Sequence, residues 1–361
     1  MLDLNQPVVK LNTPSNAAGA VAWTMEMPHN INLGCLLQQV TIVKPHSSTH
    51  GAPAALSDVI DLFCWKVNGT PQRSYKPDEA FGRQALFALD DASLAGTVQY
   101  FEAGVAVTLT SPLDGITYGE LPVLIGSEAD VTLRKQITDE VASNTVTTVF
   151  HLPHSFAQDF RKSYAATAAM ALPTAFGNQS GAVVGNLGGV ILELSMKALP
   201  ATVTSVSISG NVEYDTALAL PNQLVRLLKM KRLAKQYSAA GDIEVADQIK
   251  NVAGESVQYI SLLTASASPV VEKITKVVIK QGNQILRTLT WEENVMSLRK
   301  AGINVDAIPR NRFDIIFDRQ DDPTSGQGMN PNQELSIMAT LASSAGSGSI
   351  TILTGIYGGL E

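Results

Sequence analysis

Charge is what this chain has least of. Asp, Glu, Lys and Arg make up 16% of its 361 residues, against about a quarter in an average globular protein. The net charge of −7 argues against attraction of the whole protein to nucleic acid and leaves room only for a local basic patch. Aromatic residues are also few, at 6%. Cysteine occurs twice, as Cys35 and Cys64 in apolar strand-like runs, which favours reduced, buried thiols over a disulfide framework. No apolar run approaches the roughly 20 residues that cross a bilayer as a helix. The start, MLDLNQPVVK, lacks the basic end and apolar centre of a secretory leader, so a cytoplasm-like compartment is expected. Without a secretory signal the N-x-S/T triplets at Asn68 and Asn178 carry little weight.

Catalytic patterns are missing as well. No G-x-S-x-G elbow occurs, and no histidine partner is suggested for either cysteine. The Gly-rich run Ser343–Ser349 has no phosphate-loop lysine and reads as a turn between strands. His46 and His50 sit in a loop by composition, and His151 and His154 straddle Pro153. With His29, none of the five histidines falls in a zincin pattern. Asp318, Asp321 and Asp322 precede a Gly-rich loop without EF-hand spacing, and a solvated acidic turn is the plainer reading than a calcium site. No catalytic residue, metal ligand or cofactor is assigned.

What the chain does contain is Gly, Ala, Ser, Thr and Val in quantity, together with an internal repeat. Ile60–Arg83 and Ile274–Ser297 follow one plan at an offset of 214 residues, matching Ile60 with Ile274, Lys66 with Lys280, Arg73 with Arg287 and Glu79 with Glu293. Each copy reads as an apolar strand, a two-residue turn (Asn68-Gly69 or Gly282-Asn283), a second strand and an acidic helix start. A second match near the end of each half sets Glu193–Ala198 against Glu334–Ala339 at an offset of 141, with Ile208 near Ile352 in the strand that follows. The fall in offset gives the first half about 70 more residues between the two matches, and the Ala/Gly-rich stretch 155–189 is the expected place for them.

The predicted organisation is a Pro-broken arm over 1–20, a β domain over 21–216 with large loops, a helical linker over 217–254 and a second β domain over 255–361. Pro153 is expected to end the strand Val146–Leu152. About eight short strands per half, with long connections, fit an eight-stranded jelly roll better than an up-and-down barrel or a propeller. The fold class is therefore all-β, with two tandem eight-stranded jelly rolls, short helices and a helical linker.

Two such rolls, the hairpin-and-helix motif at 60–83 and 274–297, and the closing strands of each half resemble the double jelly-roll major capsid proteins of tailless icosahedral viruses, a lineage with tectivirus-like bacteriophages and the adenovirus hexon. That resemblance implies a structural, non-enzymatic protein that assembles as a homotrimer. Six rolls would make a pseudo-hexagonal block tiling an icosahedral shell. The implied partners are further copies of itself, penton or minor capsid proteins, and an internal membrane or the packaged genome, with no small-molecule substrate. The implied location is the virion, after assembly in the host cytoplasm. The 155–189 loop would then clasp neighbours or form an outer tower. The short N-terminus with Pro7 and Pro14 departs from relatives that carry a long helical arm. The alternative is a two-domain β-sandwich that binds or hydrolyses carbohydrate, which the scarcity of aromatics disfavours.

One charge pattern stands out. Arg226, Lys229, Lys231, Arg232 and Lys235 occur within ten residues that contain no acid, interleaved with Leu227, Leu228 and Leu233. The plainer expectation is an amphipathic helix packing its leucines on the β domains. The functional expectation is an inner surface that meets lipid headgroups or the genome. Arg73 and Arg287, at equivalent corners, invite a search for carboxylate partners.

Overall fold

The computed structural model describes residues 4–11, 22–29, 31–45, 56, 59–77, 98–102, 105–109, 134–140, 145–155, 172–177, 183–215, 226–249, 255–264, 273–300, 312–317, 327–328 and 334–359. The chain divides into two compact units, with the boundary between Val225 and Arg226.

The first unit contains β1 (Leu4–Leu11), β2 (Ala22–Glu26), β3 (Asn32–Pro45), β4 (Ile60–Val67), β5 (Thr70–Tyr75), β6 (Val98–Glu102), β7 (Val105–Leu109), β8 (Arg134–Glu140), β9 (Thr145–Ser155), β10 (Leu172–Pro173), β11 (Ala175–Gly177), β12 (Val183–Asn186), β13 (Val190–Met196) and β14 (Ser205–Asp215). One sheet runs β1-β14-β3-β9-β8, and a second row runs β2-β13-β4-β5. The second unit contains β15 (Arg226–Tyr237), β16 (Gly241–Ile249), β17 (Ser256–Thr264), β18 (Ile274–Gln281), β19 (Gln284–Thr290), helix α1 (Trp291–Lys300), β20 (Arg312–Ile316), β21 (Gln327–Gly328), β22 (Leu335–Leu341) and β23 (Gly348–Gly359). Its rows are β15-β23-β17-β20 and β16-β22-β18-β19. In each unit the last strand inserts between the first and the third, and the strand before it packs beside the second. This exchange of neighbours between two sheets is jelly-roll connectivity.

The opening repeat superimposes strand for strand. β4 buries Ile60, Phe63, Cys64, Trp65 and Val67, and β18 buries Ile274, Val277, Val278, Ile279 and Gln281, so core positions coincide at the 214-residue offset. Asn68 (φ 52°) and Gly69 (φ 79°) turn the first hairpin with two left-handed residues, and Gly282 (φ 56°) opens the second. Both are the turn chemistries that match strand twist. After the second hairpin, Glu293 accepts the Thr290 amide N–H at 2.8 Å, and the Glu293 amide N–H reaches Thr290 Oγ1 at 3.3 Å. That reciprocal capping box starts α1. In the first copy the helix predicted from Lys76 lies outside the described residues beyond Pro77.

The closing repeat is real, but its register differs from the sequence match. Val190 pairs with Val67 and Leu194 with Phe63, whereas Leu335 pairs with Gln281 and Ala339 with Val277. Equivalent residues therefore lie 145 apart. Two backbone bonds agree: Asn68 N–H to Gly189 O and Lys197 N–H to Val59 O recur as Gly282 N–H to Glu334 O and Ala342 N–H to Lys273 O. The sequence match at 141 is slipped by four residues. An even slip keeps every side chain on its own face, so alternation cannot detect it. Both strands bury every second residue, sending Val190, Leu192, Leu194 and Met196, or Leu335, Ile337, Ala339 and Leu341, into the core. Burying each large aliphatic side chain among these contributes about 1.5–3 kcal/mol.

The extra length of the first unit also sits differently. Residues 76–144 separate β5 from β9, 69 residues against the 21 of 291–311, while residues 156–189 exceed their counterpart 317–334 by only 34 to 18. Most of the insertion thus precedes β9. The described parts of 155–189 fold onto their own unit. β10 pairs with β3, and the Thr174 hydroxyl donates to Ile31 O at 2.8 Å while accepting the Ile31 N–H at 3.0 Å.

Two prolines misled the boundaries. Residues 4–11 form β1, paired with β14, and Pro7 stands opposite Asn211. β1 ends its sheet row, where a missing N–H costs no ladder bond on the open side. β9 continues through Pro153, which pairs with Leu37. Among the described residues the β8 ladder stops at His151, short of Pro153.

Candidate functional site

The helical linker expected over 217–254 is not a helix where it is described. Arg226–Tyr237 is strand β15, paired residue by residue with β23 from Arg226–Gly359 to Tyr237–Gly348. Gly241–Ile249 is β16, paired with β22. The break expected at Ala240-Gly241 is the turn between them, with Gly241 at φ 120°. Leu, Lys, Arg, Met and Ala are good helix formers, but here a full-length ladder with β23 overrides local propensity.

The strand geometry distributes the basic residues differently from a helix. Successive side chains alternate, so Lys229, Lys231 and Lys235 share one side of β15 and Arg232 takes the other. Lys229 is buried at 2% exposure and its ammonium donates to the Glu255 carboxylate, itself 3% exposed. Lys235 is exposed and donates to Glu244 O on β16. Lys231 and Arg232 are half-buried. Arg226 holds the register position opposite Gly359. The five residues thus do not form a single cationic face, and Lys229 belongs to the interior. A buried charge needs its partner, and Glu255 supplies it.

Arg287 Nη1 donates to Ile316 O at 2.9 Å, and its guanidinium lies 4.6 Å from the centre of the Phe317 ring. A carbonyl and an aromatic face are thus among the partners of this guanidinium. In the same unit Arg312 Nε donates to Asp314 Oδ2 at 2.6 Å, and the Ser261 hydroxyl donates to Asp314 Oδ1. On the first unit, Lys66 meets Glu193 at 2.7 Å in a half-exposed pair. The hydrogen bond that the Lys66 ammonium donates to the Glu193 carboxylate holds it above its ordinary pKa.

The first unit also holds a buried polar relay that the sequence did not disclose. Trp65 Nε1–H points to Tyr75 Oη at 3.3 Å, Tyr75 Oη is 2.9 Å from His154 Nδ1, and His154 Nε2 is 2.8 Å from Gln38 Oε1. Because Gln38 Oε1 only accepts, Nε2 carries the proton and Nδ1 accepts from the tyrosine. Phe63 stacks on Tyr75 with centroids 5.5 Å apart and lies 5.3 Å from the His154 ring. Burial, with a smaller push from the Arg73 cation, lowers the His154 pKa to about 3. His154 is therefore a neutral core residue. His29 instead pairs with Glu26 at 3.1 Å on the surface.

Among the described residues no group of three or more His, Cys, Asp or Glu is placed to hold a metal ion, and no helix is long and apolar enough to cross a membrane. Cys64 is a buried free thiol that accepts the Ser74 hydroxyl at 3.5 Å. The Asp318–Asp322 turn, His46, His50 and the strand expected over 123–131 lie outside the described residues.

These two units define a double jelly-roll protein. Among solved structures the chain is similar to the major capsid protein P2 of bacteriophage PM2, at 13% identity and a TM-score of 0.54, covering 99% of this chain and 98% of that one. It is similar also to the STIV MCP (12% identity, TM-score 0.55, covering 98% and 96%) and to the PBCV-1 virus capsid protein (9% identity, TM-score 0.58, covering 98% and 93%). At such identities the likeness is one of fold, and it takes in both rolls. No protein-family profile matches the sequence. Among curated proteins, 197 residues (53% of this chain) are 26% identical to the DNA-dependent protein kinase catalytic subunit of Xenopus laevis. The chain spans 4% of that protein's length, too little to bring its activity with it.

Proposed function

We propose that this chain is the major capsid protein of a tailless icosahedral virus. The observation that carries the reading is the pairing of two rolls of one design in one chain, alike over 98–99% of its length to capsid proteins of bacteriophage PM2, STIV and PBCV-1. Its work is self-association. Two similar domains per chain let three copies present six similar sides while keeping closed rotational symmetry. The trimer is accordingly the building block, and further trimers, with penton or minor capsid proteins, complete the shell of the virion. A bacteriophage is the favoured source, with assembly in the host cytoplasm. Lys231 and Lys235, on one side of β15, remain the candidates for contact with an anionic layer beneath the shell, whether lipid or genome.

The reading is non-enzymatic. Its polar clusters are closed within the core: Lys229 on Glu255, and Arg312 on Asp314 and Ser261. The test is native mass measurement of the purified chain. A species at three times 38.4 kDa supports the proposal, and a stable monomer at micromolar concentration opposes it.

A further inference from the structure

The two rolls share one fold, so a feature present in one core and absent from the other is not required by that fold. The relay of Trp65, Tyr75, His154 and Gln38 is such a feature. At the 214-residue offset Trp65 corresponds to Ile279 and Tyr75 to Leu289. The second roll thus fills these positions with aliphatic side chains. In the first roll the relay joins both sheets, since Gln38 is on β3 and His154 on β9, while Trp65 is on β4 and Tyr75 on β5.

We propose that this relay is an acid latch, through which protonation of His154 opens the first jelly roll selectively while the second stays closed. The hydrogen-bond directions accommodate only the neutral ring. Nε2–H already donates to Gln38, and Nδ1 must accept from a tyrosine that itself accepts from Trp65. A second proton on the ring turns the Tyr75–His154 contact from donor–acceptor into donor–donor, unless the hydroxyl rotates away. The titratable or charged groups facing His154 include Tyr75 and Arg73, both from β5. The surrounding groups of β3 and β4 (Gln38, Phe63 and Trp65) are uncharged. No carboxylate among these groups stabilises an imidazolium, and the Arg73 cation opposes one.

The sign of the linkage follows. The folded state holds His154 neutral to a pH well below the ordinary histidine range, whereas the unfolded chain takes up a proton near pH 6.5. The contribution is complete above that pH and is lost progressively as the pH falls toward about 3. One proton taken up on opening changes the opening constant about tenfold per pH unit. The latch stands independently of the capsid reading. In a shell it would loosen one roll of each pair in an acidic compartment.

The experiment is hydrogen exchange with mass spectrometry on the full chain from pH 7 to 4, corrected for intrinsic exchange, comparing the parent with His154→Phe. Peptides from β3 and β9 report the first roll, and those from β17 and β23 the second. The expected result is that the opening constant of the first roll, relative to its value at pH 7, rises about tenfold per pH unit more steeply in the parent than in the variant below about pH 6. The second roll should show no such difference. Equal slopes in parent and variant overturn the proposal, as does joint opening of both rolls. Should His154→Phe fail to fold, imidazole NMR of the parent decides. A ring still neutral at pH 5 in the folded protein supports the latch, and a ring that titrates near pH 6.5 without opening overturns it.

Discussion

Replacing Lys229 with Met would strand a carboxylate in the core of the second roll. Lys229 and Glu255 are 2% and 3% exposed, so the pair has almost no solvent to share its charge with. Glu255 packs closely on Gly358, where an added Cβ would lie 2.6 Å from Glu255 Cγ. Removing one partner of a buried pair costs about 3–5 kcal/mol, a large fraction of the 5–15 kcal/mol that holds an ordinary domain together. Replacing both, as Lys229→Met with Glu255→Met, removes the uncompensated charge and should cost markedly less than the single change. Urea unfolding followed by exchange protection of β17 measures both effects. A loss below about 1 kcal/mol for Lys229→Met would refute the buried pair and return Lys229 to the surface.

Other expectations follow from the same geometry. Thr290→Ala removes one half of the capping box and should destabilise α1 by about 1 kcal/mol, read as reduced helical protection of 291–300. Gly355→Ala places a methyl group inside the Tyr259 ring. It should destabilise the second roll by about 1–3 kcal/mol or more, and a neutral result in thermal unfolding would mean that Tyr259 packs elsewhere. Reversing the charge of Lys231 and Lys235 should weaken binding to anionic liposomes without lowering the unfolding midpoint, and unchanged binding removes the lipid contact.

Much of the architecture was legible because hairpins and alternating strands write themselves locally. Asn68-Gly69 and Gly282-Asn283 mark the turns, and the same burial sequence follows at 214 residues. The closing strands were found but misregistered by four, since a period of two tolerates any even slip. Pro7 looked like a terminator because a sequence does not say which strand ends a sheet row, and Pro153 because it does not show that the ladder with β3 runs on through it. β15 looked helical because Leu227, Leu228 and Leu233 fit a helical stripe, and only its ladder with β23 decides otherwise. That error also created a basic face, which the strand takes apart. The relay at His154 had a faint sequence signal, the aromatic–aliphatic mismatch of Trp65 with Ile279 and Tyr75 with Leu289. Nothing local placed Gln38 and His154 beside it, because they come from strands 116 residues apart.

Electron microscopy of the purified protein tests the central claim most directly. Three copies, each bringing two similar rolls, should appear as compact blocks with pseudo-hexagonal outlines and true threefold symmetry, and these should tile into flat facets at high concentration. Monomers, or closed assemblies without a threefold axis, would contradict the account.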